Sequence, residues 1–193
     1  MEKVDYNKIS NFLFELGMLK NVKRSGWWVA GVKDPESVAE HSLRAAQLAY
    51  IIAKLEGADA RKAACICLMH DVPEARINDQ HKVAARYIDS KKAEHSAIEE
   101  QVILLPESIG SEIKSMFSEF MDCSTKEGII AKDSDYLECA IQAKEYLDIG
   151  HKSAQGWINN VEQKLKTDTA KKIFKIISKK DSKLWFQDLK NLE

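Results

Sequence analysis

The sequence predicts an all-α fold, one helical bundle spanning residues 1–193. Three observations carry that expectation. Eight glycines and three prolines are too few to punctuate the many tight turns of a β-rich chain. Apolar residues recur at three- and four-residue spacing along most of the length. No segment sustains the strict alternation of a half-buried strand. The length suits one domain with a sizeable core, and no repeat, low-complexity tract or linker divides it.

The elements follow in order. Ile9, Phe12, Leu13 and Leu16 lie at helical spacing, with Gly17 near the end of the pattern. The polar and aromatic stretch "LKNVKRSGWWVAGVKDPE" reads as an irregular connection. Ser37-Val38-Ala39-Glu40 is a capping box that opens a helix to about Gly57. Asp59 caps the next helix, which must stop before Pro73 because proline cannot continue the hydrogen-bond ladder. Helices are expected over about 90–105 and 108–121. Ser124-Thr125-Lys126-Glu127 repeats the capping-box pattern and opens a long helix reaching Gly150. One or two helices follow between Asn159 and Asn191.

Composition narrows the function classes. A formal net charge of −1 argues against generic binding to a nucleic-acid backbone, and the lysines of "KKIFKIISKK" fit a solvated helix face. Cys65, Cys67, Cys123 and Cys139 form no C-x-x-C pair, so buried free thiols in a reducing cytoplasm are expected. No apolar run approaches the ~18 residues of a membrane span, and "MEKVDYNKISNF" is too polar for a signal peptide.

The chemistry-bearing stretch is "CLMHDVPEARIND", residues 67–79. His70 shares a helix face with Ala63, Ile66 and Cys67, while His41 shares one with Val38, Ala45, Leu48 and Ile52. Neighbours in a regular helix point ~100° apart, so the break forced by Pro73 helps His70 and Asp71 approach one ion. A fourth ligand should come from a distant acid. Asp133 and Asp135 point to nearly opposite sides of their helix, and the stripe of Ile130, Leu137 and Ile141 favours Asp133. Two imidazoles and two carboxylates suit a divalent transition metal better than calcium.

"ESVAEHS", "LMHDVPEA" and "AKDSDYLE" together resemble the H…HD…D signature of HD-domain metal-dependent phosphohydrolases. More narrowly, "LKNVKRSGWW", "PESVAEHSLRAA", "HDVPEARIND" and "FSEFMDCSTKEGIIAKDSDYLE" resemble its 5′-deoxynucleotidase branch, over roughly residues 10 to 150. The resemblance implies an HD-type bundle with the metal between helices and C-terminal helices at about 159–191. It implies one divalent cation (manganese, cobalt, nickel, iron, zinc or magnesium) held by His41, His70, Asp71 and Asp135, overruling the helix phase of Asp133. It also implies a catalytic Glu74, phosphate contact by Arg24, sugar packing by Trp27 (or Trp28, if the loop slips by one) and contact of Asp79 with the 3′-hydroxyl.

The implied activity is hydrolysis of the 5′-phosphate from deoxyribonucleoside 5′-monophosphates by a cytoplasmic homodimer. The partner would be a small-molecule nucleotide, with no nucleic-acid polymer and no membrane. The rivals are another HD nucleotide phosphohydrolase or phosphodiesterase, and a non-catalytic metal- and nucleotide-binding regulator. Two departures stand beside the expected pocket. Asn78 replaces a usual glycine, and "QHKVAA" replaces an Ile-Thr-Pro-like continuation, leaving His81 and Lys82 as phosphate contacts or exposed loop residues.

Overall fold

The computed structural model describes residues 4–187 and 189. Ten α-helices follow one another among them: α1 (Tyr6–Leu16), α2 (Gly26–Val29), α3 (Val38–Glu56), α4 (Ala60–Met69), α5 (Glu74–Ile77), α6 (Ser90–Val102), α7 (Glu107–Asp122), α8 (Lys126–Asp148), α9 (Gln155–Glu162) and α10 (Asp168–Ile177). The described residues contain no strand, only an isolated antiparallel bridge between Lys23 and Ser37. The all-α expectation holds.

Local chemistry accounts for most boundaries. The Ser37 hydroxyl accepts from the Glu40 amide while the Glu40 carboxylate accepts from the Ser37 amide, so the capping box forms. Gly57, at φ +67°, ends α3 in the left-handed conformation that glycine adopts without steric cost. Asp59 takes the amides of Arg61 and Lys62, and α4 stops at Met69, ahead of Pro73.

The second capping box does not form. Thr125, not Ser124, caps α8 by accepting from the amide of Gly128, so glycine occupies the third helical position and no side chain can return the bond. Glu127 instead accepts from the amide of Asp59. Other expectations shift by a turn. The connection over 19–36 contains α2 and the end of a 3-10 turn, Gly17–Lys20. Helix α6 ends at Val102, short of Leu105, because Pro106 disfavours helical geometry in the residue before it. Helix α9 begins before Asn159, while the expected limit Asn191 lies outside the described residues. In α1, Phe12 is buried but Leu13 is exposed, a narrower buried stripe than the spacing suggested.

Helix α3 packs against α4 and α8, and α4 packs against α8. Ala45, Ala49 and Ala63 are fully buried at this junction, where small side chains let the helices approach beside Ile52, Ile66 and Leu137. Each of the larger apolar chains contributes roughly 1.5–3 kcal/mol by burial. A second cluster, Phe12, Val72, Ile98, Ile113 and Phe117, encloses Val72 of the turn after α4. That packing fixes the first turn of α3, the end of α4 and the middle of α8 against one another.

Candidate functional site

Those three places carry the histidines and aspartates. His41 is buried on the first turn of α3 and His70 is buried at the end of α4. Beyond Met69 the chain turns ahead of Pro73, and the departure from regular helix brings His70 Nε2 within 3.1 Å of Asp71 Oδ2. His41 Nε2 lies 3.7 Å from the same oxygen and 3.3 Å from Asp135 Oδ1. One donor atom each of His41, His70 and Asp71 falls within 4.8 Å of the others, with Asp135 at the edge of the group.

The ring protons are assigned by their partners. His70 Nδ1 faces the carbonyl of Cys67, which only accepts, and His41 Nδ1 faces the carboxylate of Glu138. Both Nδ1 atoms therefore carry hydrogen, and a neutral ring leaves its Nε2 lone pair toward the group. His41 Nε2, His70 Nε2 and Asp71 Oδ2 are buried without a hydrogen bond. Unsatisfied buried polar atoms are costly, and three that converge suit a bound cation. These residues fit a divalent metal.

The electrostatics favour positive charge at this point, either a proton on His41 Nε2 or a cation in its place. Burial and Arg24 oppose the charged form of His41, yet Glu138 and Asp135 carry its pKa up to about 10. Burial raises Asp71, but His70, Arg24 and His41 together hold it down at about 2. His41, Lys132 and His70 keep Asp135 far below the usual carboxylate range despite its burial. Ionised carboxylates on several sides demand positive charge between them.

Helix phase misjudged α8. Asp133 is indeed buried, but its carboxylate accepts from the amides of Lys166 and Thr167 and from the Thr167 hydroxyl, tying down the start of α10. Asp135 faces His41 instead. The structure adds acids and bases that the sequence reading did not single out. Glu138 is fully buried, bonded to His41 and Arg44. Glu36 accepts from Trp27 Nε1 at 3.0 Å, and burial together with Glu138 pushes its carboxyl up to about 7. Lys132 lies 3.8 Å from Asp135. The available signal was spacing: Lys132 and Glu138 each stand three residues from Asp135 and so share its helix face.

Two cavities meet at Arg24 and Asp135. The larger, about 410 Å³, is lined by Trp27, Asp79, Lys82, Tyr136, Trp157 and Lys164 among others. The smaller, about 260 Å³, contains His70, Asp71, Glu74 and Lys132. Arg24 Nη1 lies 3.6 Å from both Asp71 and Asp79. Trp27 is buried with its indole against Tyr146 and Trp157 and lines the larger cavity, whereas Trp28 is exposed and outside that lining. Asp79 is the N-cap of no described helix; it accepts from the amide of Ser25, the residue ahead of α2, at 2.5 Å. His81 Nδ1 accepts from the Ala84 amide and Lys82 reaches the larger cavity. His95 packs on Phe117 and His151 on Tyr146, away from the group. Glu74 Oε2 is buried without a hydrogen bond, and burial plus the charges of Asp71 and Asp79 raise its carboxyl well above the usual range.

A helical bundle with paired histidines and aspartates between its helices defines the class, and the chain belongs to the HD domain family, whose profile matches residues 16–177. Among curated proteins it is similar to the 5′-deoxynucleotidase HDDC2 of Dictyostelium discoideum, 34% identical over 151 residues, covering 72% of this chain and 78% of the relative. It is also similar to the 5′-deoxynucleotidase hdd1 of Schizosaccharomyces pombe, 30% identical over 179 residues, covering 79% and 87%. A solved structure of a conserved hypothetical protein from Pyrococcus furiosus aligns with a TM-score of 0.74 at 30% identity, covering 86% of this chain and 97% of that one.

Proposed function

We propose that this protein is a 5′-deoxynucleotidase, a metal-dependent phosphohydrolase that releases phosphate from deoxyribonucleoside 5′-monophosphates. The observation that carries this reading is the convergence of three unsatisfied buried donor atoms, from His41, His70 and Asp71, beside a cavity of about 410 Å³. The relatives named above support the substrate class. His41, His70, Asp71 and Asp135 would hold one divalent ion, which would supply Lewis acidity for phosphoryl transfer to water.

The protein's own residues divide the remaining work. The nucleoside occupies the larger lobe, with its sugar against Trp27 and its 3′-hydroxyl toward Asp79. Arg24, shared by both lobes, binds the phosphoryl group at their junction. With the leaving 5′-oxygen on the larger lobe's side, in-line displacement brings the water from the smaller lobe. Glu74 lines only that smaller lobe, and a divalent ion beside it would favour its ionised form against the neighbouring carboxylates. Its unpartnered Oε2 therefore takes a proton from the water rather than serving the leaving group.

Phosphate release from a panel of deoxy- and ribonucleoside monophosphates tests the reading, using chelator-stripped protein resupplied with single metals. Turnover that favours the deoxy substrates and disappears in Asp71→Ala and Glu74→Ala is expected. Absence of turnover with every metal contradicts it. We further place the protein in the cytoplasm, as its four free cysteines suit a reducing compartment; no described helix is long and apolar enough to cross a membrane. We assign it a homodimeric state, which light scattering after size exclusion would test.

A further inference from the structure

The smaller lobe contains a cation for which the chemistry above has no use. Lys132 stands one turn before Asp135 on α8, and its ammonium lies 3.9 Å from the centre of the Phe120 ring. Phe120 is buried and packs on His70 with 4.5 Å between ring centres. The lysine head is thereby held beside the metal-ligand group, its side chain 25% exposed. Asp135 Oδ2 is 3.8 Å away, beyond hydrogen-bond length, and Glu94 also interacts with this charge. Among the described residues this ammonium makes no hydrogen bond, so its three donors are open to solvent or a ligand.

A positive charge fixed in a half-open chamber, with its donors free, suits an anion. Lys91 and Ser90, at the start of α6, open the same chamber. Asp71 and Asp135 line it as ligands of the proposed metal, and Glu74 and Glu94 line it as well. An anion is therefore favoured on the Lys132 side, where that metal would offset the ligand carboxylates. Burial and the neighbouring Asp71 raise the Glu94 carboxyl, while Lys132 works against that rise.

We propose that Lys132 is a phosphoryl-binding catalytic residue and that the smaller lobe holds inorganic phosphate after the nucleoside leaves. This rests on the phosphohydrolase reading above. Water forms the new bond to phosphorus as the bond to the 5′-oxygen breaks. One water proton passes to Glu74 Oε2, and the nucleoside oxygen leaves with a proton from solvent. In-line displacement inverts the phosphoryl group away from the larger lobe, toward Lys132. The two products then separate through opposite lobes.

The test combines direct binding with kinetics. Calorimetry of inorganic phosphate on manganese-loaded wild type, Lys132→Met and Lys132→Arg gives the affinity without turnover. The Met variant keeps the apolar stem over Phe120. It should weaken phosphate binding roughly tenfold or more and lower kcat/KM about 10²-fold, with Lys132→Arg recovering part of both. Inhibition by the nucleoside product and manganese affinity should stay at wild-type values. Wild-type phosphate affinity in Lys132→Met overturns the proposal. Loss of manganese from that variant also overturns it, because Lys132 would then serve Asp135. Lys132-dependent phosphate binding in a wild type that hydrolyses no mononucleotide supports the anion site and contradicts the substrate reading instead.

Discussion

His41 donates its Nδ1 hydrogen to the buried carboxylate of Glu138, which leaves Nε2 of the same ring facing Asp71 and Asp135. Arg44 Nε donates at 2.9 Å to the other oxygen of Glu138, so the carboxylate cannot rotate freely. Carboxylate partners of this kind fix the tautomer and raise the basicity of a ligating histidine. Glu138→Gln should therefore weaken divalent-metal affinity about 10- to 100-fold. Competition against a chelating dye measures this directly. Wild-type affinity would show that Glu138 only fills space.

Asn78 has φ +61° and ψ 163°, a combination that an L side chain rarely adopts. It ends α5, just before Asp79 enters the larger cavity. Strain of this sort costs on the order of 1–3 kcal/mol, partly offset by the extra unfolded-state freedom that glycine brings. Asn78→Gly should stabilise the fold by about 1 kcal/mol. Urea unfolding would show the midpoint rising, and a lower midpoint would mean that the asparagine side chain makes a contribution exceeding the strain.

Acid should destabilise the protein through carboxylates tied in the folded state. The hydrogen bond from Arg76 lowers Glu15, and the bonds from Thr169 lower Glu56, each from an ordinary value of 4.5. Folded-state values below the unfolded ones mean that this stability is complete above about pH 4.5. It disappears as the pH falls through the depressed values, because the unfolded chain takes up protons first. Denaturation midpoints should be flat from pH 6 to about 5 as far as these groups are concerned, and fall below about 4.5. Glu15→Gln should make the fall shallower.

The four thiols should differ in reactivity. Cys65 is exposed and Cys67 is buried. Burial pushes the thiol of Cys139 up to about 12, leaving almost no thiolate at neutral pH. Brief alkylation at pH 8 followed by peptide mapping should label Cys65 and spare Cys67 and Cys139 in the native protein. Equal labelling of Cys139 would contradict the packing around the larger cavity.

What could be read from the sequence was local or periodic. Ser37 and Glu40 satisfy each other's amides within four residues, so the start of α3 was visible in the order of residue types. His41 and His70 showed themselves by lying on apolar faces. Asp133 misled because its partners, Lys166 and Thr167, lie over thirty residues away, and no local pattern says which distant amides a buried acid will cap. Glu36 was hidden for the same reason: its indole partner on Trp27 and the Tyr146 hydroxyl that accepts its amide come together only when α8 packs behind the loop. The division into two lobes depends on Arg24 and Asp135 lining both, a property of tertiary packing alone.

The central claim is that one divalent ion, held by His41, His70, Asp71 and Asp135, carries the hydrolysis. Its most direct test is a cobalt titration of chelator-stripped protein, with visible absorption and phosphate release from a deoxynucleoside monophosphate recorded on the same samples. Both signals should rise together and saturate at one equivalent, and both should be lost in Asp71→Ala. Full turnover before any cobalt is added, or binding at one equivalent without release from any deoxynucleotide, would contradict the account.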